Sequence, residues 1–224
     1  MMDRQLFVSA LAKYTLGVLV VGTLIFVPAG TLAWWRGWLL MGVLFVPMFV
    51  AGLVMLAKAP DLLRSRLNAR EEQAEQRGVL ALSGLMFIAA FVVAGLGARW
   101  AWPAFPAGVS WAAAALFLLG YALYAEVLRE NAYLSRTVEV QEGQRVIDTG
   151  LYGVIRHPMY SATLLLFLSM PVVLGSPFAL FIMLAYLPLI AARIRNEEQV
   201  LANGLAGYAD YLERVPWRLI PHVW

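Results

Sequence analysis

The sequence predicts an all-α integral membrane protein with about six transmembrane helices. The last two form a short hairpin, and a cytoplasmic C-terminal helix follows it. Three observations carry this. Mean hydropathy is +0.73 and 62% of residues are hydrophobic. Only 14% are charged, against roughly 25% in an ordinary soluble domain. The apolar residues also fall into runs approaching the ~20 residues that a helix needs to cross a bilayer.

The first run covers residues 14–35 and closes on Trp34 and Trp35, an interfacial aromatic belt. It is too long for a cleavable signal and lacks a small-residue cleavage site, so a retained helix is expected. A tight turn at Arg36-Gly37 leads into the second run, residues 38–56. Residues 58–78 are charged, and Leu62, Leu63 and Leu67 make a narrow apolar stripe. That pattern reads either as an interfacial helix or as a solvated connector. The third and fourth runs are residues 79–98 and 109–128, with Trp100, Trp102 and Trp111 near the junction between them. The last two, residues 159–174 and 178–192, are hinged at Gly175-Ser176-Pro177 and reach only roughly 24 Å each. Residues 1–78 thus make an N-terminal transmembrane pair with its connector, and residues 79–224 a core.

Charge sets the orientation. With six spans, Arg36 and Arg99 fall on one side and the other fifteen of the seventeen Lys and Arg on the opposite side. By the positive-inside rule the rich side is cytoplasmic, which places both termini there. The net charge of +3 is then a consequence of topology. No basic patch interleaved with aromatics points to nucleic acid. The compact, Trp-rich organisation points to a bacterial inner membrane. Cysteine is absent and histidine occurs only at 157 and 222, which excludes thiol nucleophiles, disulfides and thiolate metal sites. No metal site is expected.

Polar chemistry concentrates in two places. Residues 129–156 are too polar for lipid; Thr137 to Gln141 alternate as a short strand would, and Glu142-Gly143-Gln144 reads as a turn. Gly150 and Gly153 flank Leu151-Tyr152; taken alone they read as loop punctuation, and they would also allow close backbone approach to a ligand. Arg156-His157-Pro158-Met159-Tyr160 then opens the hairpin, with Pro158 suited to a first helical turn. After the hairpin, Arg193 and Glu197 stand four apart and Arg195 and Glu198 three apart, spacings that share a helix face. Tyr208 and Tyr211 share a face with Leu201, Leu205 and Leu212 nearby, and residues 218–221 should fold back on the bundle.

Gly150-x-Tyr152-x-x-x-Arg156-His157-Pro158-x-Tyr160, followed by a hairpin and Arg193-x-x-x-Glu197-Glu198-x-x-Leu201, resembles the isoprenylcysteine carboxyl methyltransferase family. The tail from Gly207-Tyr208 to Leu219-x-Pro221 looks like the family's ending, so the resemblance spans roughly residues 129–224. The broader group includes phospholipid N-methyltransferases, and sterol C14 reductases share a similar core. The resemblance implies a membrane methyltransferase that uses S-adenosylmethionine outside the Rossmann class, with residues 79–224 as its catalytic core. In agreement, no strand is followed by Gly-x-Gly-x-x-Gly. The cofactor is expected on Gln144, Arg145, Val146 and Ile147, on Tyr152, His157, Pro158, Met159 and Tyr160, and on Glu197 and Glu198. Arg193 and Glu197 would be catalytic, and Arg193 with Arg195 would hold the acceptor. The acceptor is expected to be a lipophilic or lipidated molecule methylated on a carboxylate, at a site facing the cytoplasm. Alternatives are an amine or thiol acceptor such as a phospholipid amine, an NADPH-dependent reductase using Arg145, Arg156 and Arg195 for phosphate, and a non-enzymatic lipid-binding membrane protein.

Overall fold

A computed structural model describes residues 4–68, 74–131, 133, 140 and 143–224. The described residues form α1 (Arg4–Ala29), α2 (Trp35–Lys58), α3 (Pro60–Asn68), α4 (Ala74–Arg99), α5 (Ala107–Glu130), α6 (Pro158–Val173), α7 (Pro177–Met183), α8 (Tyr186–Gly204) and α9 (Tyr208–Arg214). A single 3-10 turn spans Gly150–Gly153. No strand occurs among the described residues; the alternating stretch 137–141 lies almost wholly outside them.

Five segments are long and apolar enough to cross a membrane: α1, α2, Ala81–Arg99 of α4, α5, and Pro177–Gly204 formed by α7 and α8. The shorter α6 joins them as the apolar first arm of the hairpin. Large apolar side chains such as Leu19, Val27, Val46 and Phe181 point outward. That surface would be untenable in water and is normal against lipid. Lipid does not drive helices together, so packing relies on small residues. A Cβ on Gly95 of α4 would lie 2.6 Å from the Ile25 carbonyl oxygen of α1, and one on Gly120 of α5 would lie 2.9 Å from Leu166 of α6.

Several boundaries depart from the sequence reading. The tight turn is not at Arg36-Gly37: α1 ends at Ala29, residues 30–34 make the connection, and Arg36 and Gly37 belong to the first turn of α2. The tryptophan belt flanks both helices, so its position alone does not mark where one stops. The second hairpin arm is not one helix ending near residue 192. It breaks at Leu184-Ala185 and resumes as α8, which runs on to Gly204. Pro188 accounts for the break, because it lacks the N–H that would bond the carbonyl four residues earlier. The polar segment after residue 193 is therefore the continuation of a membrane helix, and only the short α9 stands apart from it. The connector does contain a helix, α3, and it docks through Leu63 onto Leu6 of α1 and Leu56 of α2. α4 runs without interruption across residues 78 and 79.

Loops 30–34, 100–106 and 174–176 gather at one end of the bundle, where Phe105 N donates to the Gly175 carbonyl at 3.0 Å. The polar motifs gather at the other end, where α5 finishes, α6 begins and the last turns of α8 emerge.

Candidate active site

The end of α5 holds the approach to the motif. The Glu130 carboxylate accepts hydrogen bonds from Thr149 Oγ1 (3.2 Å) and the Leu151 amide (3.1 Å). Gly150 has φ of +49° and a Cβ there would collide with the Glu130 carboxylate. Its glycine is thus required by the protein's own packing. Asn131 Nδ2 donates to the Tyr152 hydroxyl at 3.0 Å and fixes the ring at the cleft wall.

Next along the chain, the backbone amides of Arg156 and His157 donate to the carbonyls of Trp217 (2.8 Å) and Arg218 (2.9 Å). Ser161 Oγ donates to the Leu219 carbonyl at 2.7 Å, so the tail folds back as expected. Pro158 occupies the first turn of α6, and its side chain is buried.

Beneath this junction lies an ionic knot centred on Glu198. Arg156 Nε donates to Glu198 Oε1 at 2.8 Å, and Arg218 Nε donates to Oε2 at 2.9 Å. His157 Nε2 lies 3.2 Å from Oε1, where a proton on that nitrogen makes it a donor. Arg156 also donates to the Val215 carbonyl at 2.7 Å. Arg156, His157 and Glu198 are all buried. A buried carboxylate is tolerable only when its lone pairs are filled in this way. Three chain segments are joined through that one group.

A second polar line runs beside the knot. Tyr160 donates its hydroxyl proton to Glu197, and the same oxygen accepts from Arg193 Nε at 3.0 Å. Arg193 and Glu197 share a face of α8, as their spacing requires, and Tyr160 from α6 bridges them. Across the cleft, Tyr211 donates to the Tyr152 carbonyl at 2.7 Å. Tyr208 and Tyr211 pack with Leu205, Val215, Leu201 and Val146 in one apolar cluster. Burial pushes the Tyr152 phenol up to about 12 and raises Tyr208 and Tyr211 well above the ordinary range. All three remain protonated at neutral pH.

These groups enclose a cleft lined by Asn131, Tyr133, Gln144, Arg145, Val146, Ile147, Tyr152, Arg156, His157, Met159, Tyr160, Arg193, Glu197, Leu201, Leu205, Tyr208 and Tyr211. Its volume is about 90 Å³. Small-molecule pockets run roughly 300–1,000 Å³, so a ligand here occupies the mouth as well as the floor. Most of the residues expected from the sequence meet in this cleft. Three do not line it. Glu198 is turned into the knot, Pro158 is packed into the start of α6, and Arg195 is exposed. Arg195 does not pair with Glu198 despite their spacing, because Arg156 and Arg218 already fill both carboxylate oxygens. The sequence reading missed Asn131, Leu201, Leu205, Tyr208 and Tyr211 as cleft residues. The three-residue spacing of the last two was visible as a helix face, but its orientation depends on the turn at Gly207, where φ is +80°.

Fold and cleft together define a helical integral membrane protein with a polar cleft at one end of its bundle. Residues 109–203 match the model of the isoprenylcysteine carboxyl methyltransferase (ICMT) family, and the resemblance read from the motifs holds over that stretch. Three curated relatives are Delta(14)-sterol reductases. That of Mus musculus is 32% identical over 91 residues, covering 39% of this chain and 22% of that protein. The Arabidopsis thaliana enzyme is 28% identical over 120 residues (49% and 32%), and that of Methylotuvimicrobium alcaliphilum is 25% identical over 125 residues (49% and 29%). The chain spans about a third or less of the length of these relatives.

Proposed function

We propose that the cleft binds S-adenosylmethionine and that the protein is a membrane methyltransferase acting on the carboxylate of a lipophilic, isoprenylcysteine-like acceptor. The observation that carries this reading is the Arg193–Tyr160–Glu197 line, which sets a cation, a phenol and a carboxylate side by side in one cleft at the membrane end. The lining fits the cofactor in kind: tyrosine rings for an adenine, main-chain groups of residues 144–147 for its edge, and an anionic Glu197 for its cationic parts. When bound, that cofactor supplies an electrophilic methyl group on a sulfonium.

The chain's own work is positioning. Arg193 holds one oxygen of the acceptor carboxylate through its guanidinium, leaving the other free to attack. Tyr160 fixes the guanidinium plane by accepting from Nε. Transfer of that methyl to the carboxylate would release the cofactor as a neutral thioether, so an ionised acceptor would need no base from this chain. Reacting atoms must be held at about 3–3.5 Å, and the apolar wall of Leu201 and Leu205 excludes water that would compete. The excess of Lys and Arg at this end supports a cleft facing the cytoplasm, where the soluble cofactor is found.

The Delta(14)-sterol reductase matches favour a second reading, an NADPH-dependent reductase. Against it, Arg156 is committed to Glu198 and Val215 and is not available for a nicotinamide-cofactor phosphate. Titration calorimetry separates the two. S-adenosylmethionine should bind and NADPH should not; the reverse would transfer the chain to the reductase reading. Arg193→Lys should keep cofactor affinity yet lose most turnover on a prenylcysteine analogue, since an ammonium cannot reproduce the guanidinium fork. Blocking that analogue's carboxylate as an amide should abolish methylation. Persistent methylation of the amide would point to an amine or thiol acceptor.

A further inference from the structure

The end of the bundle opposite the cleft has an unusual charge distribution. No Asp or Glu occurs in residues 14–57, 78–125 or 158–192, the stretches that run to the three gathered loops and back. The charged side chains in those stretches are Arg36 and Arg99. Arg99 is exposed. Arg36 is half-buried and held in place. Its Nη2 donates to the Phe105 carbonyl at 2.5 Å, and its guanidinium carbon lies 5.2 Å from the centre of the Trp35 ring. Gly175, with φ of +75°, leaves the space that Nη1 occupies; a Cβ there would collide with it. None of these contacts supplies a negative charge, and Arg36 Nε is buried with no partner among the described residues.

Arginine stays ionised at any physiological pH. A part-buried cation near hydrocarbon is costly without an anion or water to answer it. Beside Arg36 lies a cavity of about 260 Å³ whose lining includes Trp34, Trp35, Trp102, Gly97 and Ser176. Interfacial tryptophans mark the depth of lipid headgroups, and Trp35, Trp38, Trp100 and Trp111 are exposed around this end. We propose that the cavity takes the phosphate of a membrane phospholipid, with Arg36 as its fixed counter-charge. The N–H groups of Nη1 and Nη2 not committed to Phe105 donate to phosphate oxygens, the Ser176 region faces the glycerol, and the acyl chains continue down the outside of the bundle. The inference concerns the opposite end from the cleft and does not rest on the proposed reaction.

Native mass spectrometry of the full chain in detergent tests it, after exchange into phosphatidylglycerol or phosphatidylethanolamine micelles and, separately, into inorganic phosphate. The wild type should retain one phospholipid. Arg36→Gln should retain about tenfold less, while Arg99→Gln, at the exposed arginine of the same end, should match the wild type. Because Arg36 also clasps Phe105, Ala104→Trp provides a second variant: it narrows the cavity and leaves Arg36 in place, and it too should lose the lipid. Wild-type retention in Ala104→Trp, or equal losses in Arg36→Gln and Arg99→Gln, would overturn the proposal. Displacement of the lipid by millimolar inorganic phosphate would make this a site for free anions and overturn the lipid assignment.

Discussion

Glu197 and Glu198 are neighbours in sequence, about 100° apart around α8, and their surroundings could hardly differ more. Glu198 is buried and bonded to two arginines and a histidine from other parts of the chain. Glu197 is part-buried, holds the Tyr160 hydroxyl and faces the cleft. One carboxylate is committed to the fold; its neighbour is left where a ligand can reach it. The pairing teaches that a motif's acidic doublet is not two copies of one function.

Removing each in turn is the most direct way to break the comparison. Glu198→Ala leaves Arg156 buried without its anion, and losing one partner of a buried pair typically costs about 3–5 kcal/mol. Its thermal midpoint in detergent, followed by tryptophan fluorescence, should fall more than that of any other single variant in the cleft. A midpoint within a degree of wild type would show that the knot does not support the fold. Glu197→Gln should behave in the opposite manner. It keeps its shape and most of its melting temperature, while S-adenosylmethionine affinity measured by calorimetry falls about tenfold, the usual scale for a hydrogen bond to a charged group. Unchanged affinity would remove Glu197 from the proposed cradle.

Smaller changes sharpen the same contrast. Tyr211→Phe deletes the bond to the Tyr152 carbonyl and should cost about 0.5–1.5 kcal/mol, seen as a modest drop in melting and a loosened cleft wall. The exposed Arg64–Asp61 pair of α3 is the reference point at the bottom of the scale. Arg64→Ala should change stability by no more than about 0.5 kcal/mol. A larger shift there would mean that the connector contributes more than its exposure suggests.

What could be read in advance follows the range of the interactions involved. The runs that cross the membrane were legible because lipid imposes a composition that no distant contact can mask. Arg193 and Glu197 were legible because four residues return to the same helix face. The place of Arg195 outside the cleft was not legible, for the complementary reason. That arginine lies about 200° from Arg193, and its supposed partner Glu198 was claimed by Arg156 and Arg218, 42 and 20 residues away. Nothing local announces such a partner. The turn at residues 30–34 and the break before Pro188 were masked by long apolar runs in which hydropathy stays high across a helix boundary. The part played by Gly150 was hidden because Glu130, which fills the space beside it, comes from the preceding helix.

The strands of backbone that close the site also set a timetable for making it. Arg156 and His157 find their carbonyl partners on Trp217 and Arg218, about sixty residues later in synthesis. At about 5–20 residues per second, their amides wait roughly 3–12 s for those partners. The membrane helices up to α5 can already be inserted during that interval. The cleft therefore matures only after residues 217 and 218 have been made. A nascent chain stalled or cleaved before residue 217 would present well-seated spans with the Arg156 and His157 amides still open at the membrane surface.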